Sequence, residues 1–178
     1  MKSIPSSLIN KKNMNFNDID EIKKEGFIGF KKISDLLANS SFIPKTKGVY
    51  LVLNPNLKKA EYLHIGTGGH FKGKNPNVSL DILTANWVEN SLVIYIGKAG
   101  SENSRATLHS RLKQYFSFGQ GKNIGHYGGR FIWQLKNLAD LIICWKPLVD
   151  DDPRTFENHL IKKFVTEFSK RPFANLAD

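Results

Sequence analysis

Three short runs of β-branched and large apolar residues limit what this chain can build: 48–53 (GVYLVL), 92–96 (LVIYI) and 140–145 (DLIICW). Each has the length and composition of a buried strand. The first is bounded by Thr46-Lys47 and Asn54-Pro55, and the second ends in Gly97-Lys98-Ala99-Gly100. Helical spacing follows the second and third runs. Ser104 or Thr107 can cap a helix to about Phe116, with Leu108, Leu112 and Tyr115/Phe116 on one face. Asp152-Pro153 supplies a cap and a first-turn proline to a last helix. Its core face is Phe156, Leu160, Ile161, Phe164, Val165 and Phe168, and Arg171-Pro172 ends it.

The remaining segments carry weaker signals. Residues 1–16 are polar, show neither period, and read as a mobile basic arm; short helices are expected at 18–24, stopped by Gly26, and at 33–38. Segment 1–45 therefore reads as an arm with short helices, and 46–178 as one domain, since 178 residues suit a single core. Residues 54–90 are rich in Gly, Asn and Lys and read as an insertion between the first two core strands, with a short strand at 62–65 and an apolar segment at 80–88 of either type. Residues 118–130 hold five glycines and read as a loop, followed by a short helix at 131–138.

With 26 Lys+Arg against 16 Asp+Glu, the formal charge is +10 and the pI about 9.7, which favours a polyanionic partner. Charge alone does not decide, because other basic proteins bind acidic surfaces. Cys144, the single cysteine, lies in an apolar run and reads as a small hydrophobe, which excludes an intrachain disulfide. No stretch approaches the roughly 18 apolar residues of a membrane span, and the N-terminus lacks a signal-peptide pattern. The expectation is a soluble, cytoplasmic protein with no membrane partner.

Two charges sit where helical spacing would place apolar residues. Glu157 lies four residues before Ile161 and seven before Phe164, near the core face of the last helix. Its alternatives are a carboxylate favoured by the helix N-terminal dipole and a functional ligand. Arg111 shares a face with Leu108 and Tyr115, and is either a snorkelling arginine or a site residue.

The order GVY at 48–50, YIG at 95–97 with Lys98, a helix bearing Arg111 and Tyr115, a helix bearing Glu157, and a terminal Asn175 resembles the GIY-YIG nuclease family. The second half, IYIGKAG at 94–100 followed by LHSRLKQY at 108–115, is similar to its repair and restriction versions. In those, tyrosine follows arginine by four. The resemblance covers 48–53 and most of 92–175. It departs in that 44 residues (51–94) separate the two motifs, far more than the family's usual spacing.

That resemblance implies an α+β fold with a small, mainly antiparallel three-stranded sheet flanked by helices. It also implies a hydrolase: a divalent-metal-dependent endonuclease that cuts DNA, of restriction or defence type. One Mg²⁺ or Mn²⁺ would be held by Glu157 as the single protein carboxylate, with water and phosphate completing the shell. Arg111 would contact nonbridging phosphate oxygens. Either Tyr50 or Tyr95 would be the general base, with Tyr50 preferred and Lys98 favouring its phenolate. Tyr115 would orient Arg111 or the water, and Asn175 would close the site by hydrogen bonding. A non-catalytic nucleic-acid-binding module on the same scaffold is the alternative. A palindromic target would favour a homodimer.

Beyond this centre, Gly97 is expected to let backbone approach the phosphate or the following helix. Lys122, His126 and Arg130 in the glycine-rich loop, and Lys72 and Lys74 in the insertion, are candidate nucleic-acid contacts; the bland alternative is a surface connection. The run Asp150-Asp151-Asp152 reads as solvated and capping. The histidines show no zinc-ligand spacing.

Overall fold

The computed structural model describes residues 14–57 and 60–176. Its elements, in order, are α1 (Ile19–Lys24), β1 (Ile28–Lys32), α2 (Ile33–Ala38), β2 (Gly48–Leu53), α3 (Leu80–Asn86), β3 (Val93–Ala99), α4 (Leu108–Gly119), β4 (Ile142–Pro147) and α5 (Pro153–Phe168). The fold is α+β: an antiparallel sheet of strand order β1-β4-β2-β3, flanked by helices. The sheet has four strands where three were expected. Alternation along β2 sends Val49, Leu51 and Leu53 into a core with Phe156, Leu160 and Phe164 of α5, and Tyr50 and Val52 into a core with Leu108 and Leu112 of α4.

Local chemistry explains the two long helices. Thr107 and Ser110 cap α4 reciprocally, each side chain accepting the other residue's backbone N–H. Asp152 Oδ2 accepts from Thr155 N at 2.9 Å, and Pro153 occupies the first turn of α5. Phe156, Leu160 and Phe164 are the buried stripe, each contributing about 1.5–3 kcal/mol by burial. Val165, expected on that stripe, is 37% exposed.

Several expectations change. Met14 and Phe16 are buried against α5's core, so the arm reading fails for 14–16; residues 1–13 lie outside the described residues. The segment before 46 also contributes β1 to the sheet. Only partial burial, two lysines and a glycine hide this strand from pattern reading. Segment 62–65 makes one isolated bridge, Tyr62 to Leu135, while 80–88 resolves as α3 with Ser79 as its cap. The helix expected at 131–138 is two 3₁₀ turns, Arg130–Gln134 and Leu138–Asp140, and α4 runs on to Gly119. Among the described residues no helix is long and apolar enough to cross a membrane.

The ladder between β2 and β3 carries one irregularity. Leu53 pairs with Val93 but Val52 pairs with Tyr95, so Ile94 is an extra residue, a β-bulge. Without it Tyr95 would pair with Leu51 and point towards α5. The bulge turns Tyr95 onto the face that holds Tyr50.

Candidate active site

β3 is an edge strand, and where it ends, between α4 and α5, a cavity of about 470 Å³ opens. Tyr50, Tyr95, Lys98, Arg111 and Glu157 all line it. The rings of Tyr50 and Tyr95 meet edge to face at 5.9 Å between centroids. Gly97 pairs directly with Tyr50 across the ladder, and a Cβ there would stand 2.6 Å from the Tyr50 hydroxyl oxygen. What this glycine makes room for is the Tyr50 ring, which occupies the space a side chain would take.

Arg111 is half-buried between the fully buried Leu108 and Tyr115, so α4 carries it out of the core at the cavity wall, with Nη1 3.5 Å from Gln114 Oε1. Glu157 stands one turn into α5, half-buried beside the Phe156-Leu160-Phe164 stripe. Lys98 lies opposite Val49, on α5's side of the sheet. The cavity thus straddles the sheet edge, with phenols and guanidinium on one side and ammonium and carboxylate on the other.

Electrostatics separate the two tyrosines. Burial pushes Tyr50 well above the ordinary phenol range, and its hydrogen bond with Tyr95 raises it further, while Arg111 opposes both effects. Tyr95 is pushed up to about 12, by burial first and then by the Glu157 carboxylate; the hydrogen bond from Tyr50 and the charge of Arg111 lower it. The hydrogen bond from Tyr50 thus favours negative charge on Tyr95, where the preferred expectation put it on Tyr50. The cation that acts on both is Arg111, where Lys98 was expected.

Tyr115 and Asn175 stand outside the cavity wall. The Tyr115 hydroxyl donates to Gly129 O at 3.2 Å, and its ring packs on Tyr95 at 6.1 Å, so it ties the glycine-rich loop to the tyrosine pair. The Asn175 side chain accepts from Ile96 N at 2.9 Å and donates to Ile96 O at 2.8 Å, closing the outer edge of β3. His126 is buried at 1% exposure, its ring tilted 38° against that of Tyr115 at 4.7 Å, and it is pushed down to about 3 by burial and then by Arg111. A neutral ring packed in the core cannot reach a substrate, so its assignment as a nucleic-acid contact is withdrawn. Lys72, Lys74 and Lys122 are exposed, and Arg130 is half-buried, with its guanidinium 4.2 Å over the Tyr127 ring.

Other wall residues were overlooked in the sequence. Ser101, Ser104 and Gln114 also line the cavity. Gln114 follows Arg111 by three on α4, a spacing that could have flagged it. Gly128 and Gly129 roof the Tyr95 ring, and a Cβ at Gly129 would lie 3.0 Å from it. Among the described residues no group of three or more His, Cys, Asp or Glu side chains forms a metal cage. Among the described residues Glu157 is the one carboxylate lining this cavity, a donor set that suits a hard cation keeping mostly water and substrate oxygens.

Fold and site together define an α+β protein with a polar cavity at the edge of an antiparallel sheet, furnished with paired phenols, a guanidinium and a single carboxylate. No family model, no curated protein and no solved structure matches the chain.

Proposed function

We propose that this chain is a divalent-metal-dependent endonuclease of the GIY-YIG type that hydrolyses phosphodiester bonds in DNA, with a restriction or defence role. The reading is carried by the convergence of Tyr50, Tyr95, Arg111 and Glu157 from four separate elements on one cavity. Such a set matches what phosphodiester hydrolysis requires: a proton acceptor for water, a fixed positive charge for the nonbridging oxygens, and a carboxylate for a hard cation. Water attacks phosphorus, its proton passes to the Tyr95 phenolate, and the P–O bond to the leaving oxygen breaks, that oxygen departing as an alkoxide that takes a proton from solvent. Tyr50 holds that phenolate by donating its hydroxyl proton. Arg111 offers a planar, permanently charged fork to the phosphate, which lysine would not reproduce. Bound at Glu157, Mg²⁺ or Mn²⁺ would neutralise the carboxylate charge that adds to burial in holding Tyr95 up, and the charge growing on the phosphate and leaving oxygen. A palindromic target would need two such cavities and so favour a homodimer.

Plasmid DNA incubated with the protein in Mg²⁺, with a chelator control, tests the reading. Glu157→Gln is expected to lower the cleavage rate about 100-fold or more, several kcal/mol of barrier, while leaving binding intact. Wild-type rates from that variant would overturn the site. Binding without any cleavage by the unaltered chain would instead favour the non-catalytic module.

A further inference from the structure

Two segments far apart in sequence lie against each other beside the cavity. Gly69 N donates to Phe118 O at 2.8 Å, Lys72 N to Asn123 Oδ1 at 3.2 Å, and the Tyr127 hydroxyl to Asn75 O at 2.8 Å. A Cβ at Gly125 would touch the Phe71 ring at 3.1 Å. The joined segments, 66–78 and 120–130, pack against one wall residue of the cavity, because Gly128 and Gly129 lie on the Tyr95 ring and Tyr115 ties Gly129 down.

Their charge has one sign. No Asp or Glu occurs between Tyr62 and Leu80 or between Asn103 and Ala139. Two of the asparagines there hold the segments together: Asn123 Oδ1 accepts from Lys72 N, and Asn77 spans Gly66 N and Asn75 Oδ1. Lys72, Lys74 and Lys122 are exposed, and the half-buried Arg130 guanidinium lies over the Tyr127 ring. Lys72 itself adopts φ 53 and ψ 35, a left-handed conformation that costs a lysine about 1–2 kcal/mol and that Gly or Asn tolerates more readily. Strain of this kind survives where surrounding contacts hold it, and it concentrates at ligand clamps.

We infer that segments 66–78 and 120–130 form a single clamp for the phosphate backbone of the strand crossing the cavity, with Lys72, Lys74, Lys122 and Arg130 as its cations. The clamp rests on the reading of the cavity as a phosphodiesterase centre. It contacts phosphates and not base edges, so it supplies affinity and register without sequence preference.

The triple variant Lys72→Asn, Lys74→Gln, Lys122→Gln tests it, since asparagine keeps the left-handed backbone while removing charge. Binding of a fluorescein-labelled duplex, and separately of one of its strands, is titrated in chelator across a salt series. The slope of log K against log salt should fall by roughly 2–3 for duplex, about 0.9 per lost contact. In Mg²⁺, KM for plasmid should rise at least about tenfold with kcat unchanged. Thermal stability should hold or rise, and Lys23→Gln with Lys24→Gln on α1, as a charge control, should leave the slope alone. An unchanged slope, an equal change in the control, or no salt-dependent binding by the unaltered chain overturns the clamp. A changed slope in a protein that never cleaves keeps the clamp and removes the nuclease reading.

Discussion

At one edge of the sheet, β1 is five residues long and is bent where Gly29 and Phe30, with φ of 99° and 47°, together oppose Cys144. At the other edge β3 runs for seven residues, and the chain at 174–175 covers it: Ala174 N donates to Ile94 O, and the Asn175 amide closes on Ile96. Both are remedies for the unpaired peptide groups that an edge presents. A bulge and lysines spoil β1 as a template along its length. The cover on β3 stops at Ile96, and because outward-facing peptides alternate, the next is that of Lys98, where the cavity begins. The polar groups of the cavity gather where that edge is left open, next to a carboxylate and a guanidinium.

The largest effect that would sharpen this contrast is expected at Gly97. Gly97→Ala should displace the Tyr50 ring, costing about 1–3 kcal/mol of stability and about 100-fold in cleavage rate. Chemical denaturation and a plasmid assay read both; full activity would show that Tyr50 is dispensable. At the opposite edge, Gly29→Ala meets both the Trp145 ring, 2.6 Å from the new Cβ, and an unfavourable φ. A loss of about 2–4 kcal/mol is expected with the rate of the remaining folded protein unchanged. An equal loss of rate there would break the distinction between a structural and a functional edge. Asn175→Ala removes two hydrogen bonds, and should cost about 1–2 kcal/mol and speed amide exchange at Ile96 ahead of the rest of β3. Smallest is Lys32→Ala, which deletes an exposed ion pair with Asp140 at 2.9 Å and should leave the melting temperature within scatter.

Much of this architecture was legible in the sequence. The runs at 48–53, 92–96 and 140–145 are strands within three residues at either end, and the caps at Thr107 and Asp152 are where hydroxyl, carboxylate and proline chemistry would place them. Glu157 and Arg111 stood out because each interrupts an apolar helical face, and both reach the cavity. β1 was not legible, since a strand that buries little shows no alternation. His126 misled for a related reason. A histidine between glycines reads as a loop ligand, yet its burial is decided by Tyr115 and Phe118, whose rings arrive from α4.

What the sequence determined by itself is periodic and local: which segments are strands or helices, where the helices start, and which charges are out of phase with an apolar face. Tertiary structure decided the pairing of the tyrosines. The extra residue at Ile94 puts Tyr95 on the face of Tyr50, and Gly97 makes room for the ring that crosses to it. Neither can be read along the chain, because a bulge is a property of two strands in register, and the space beside a glycine belongs to whatever residue the partner strand sets opposite.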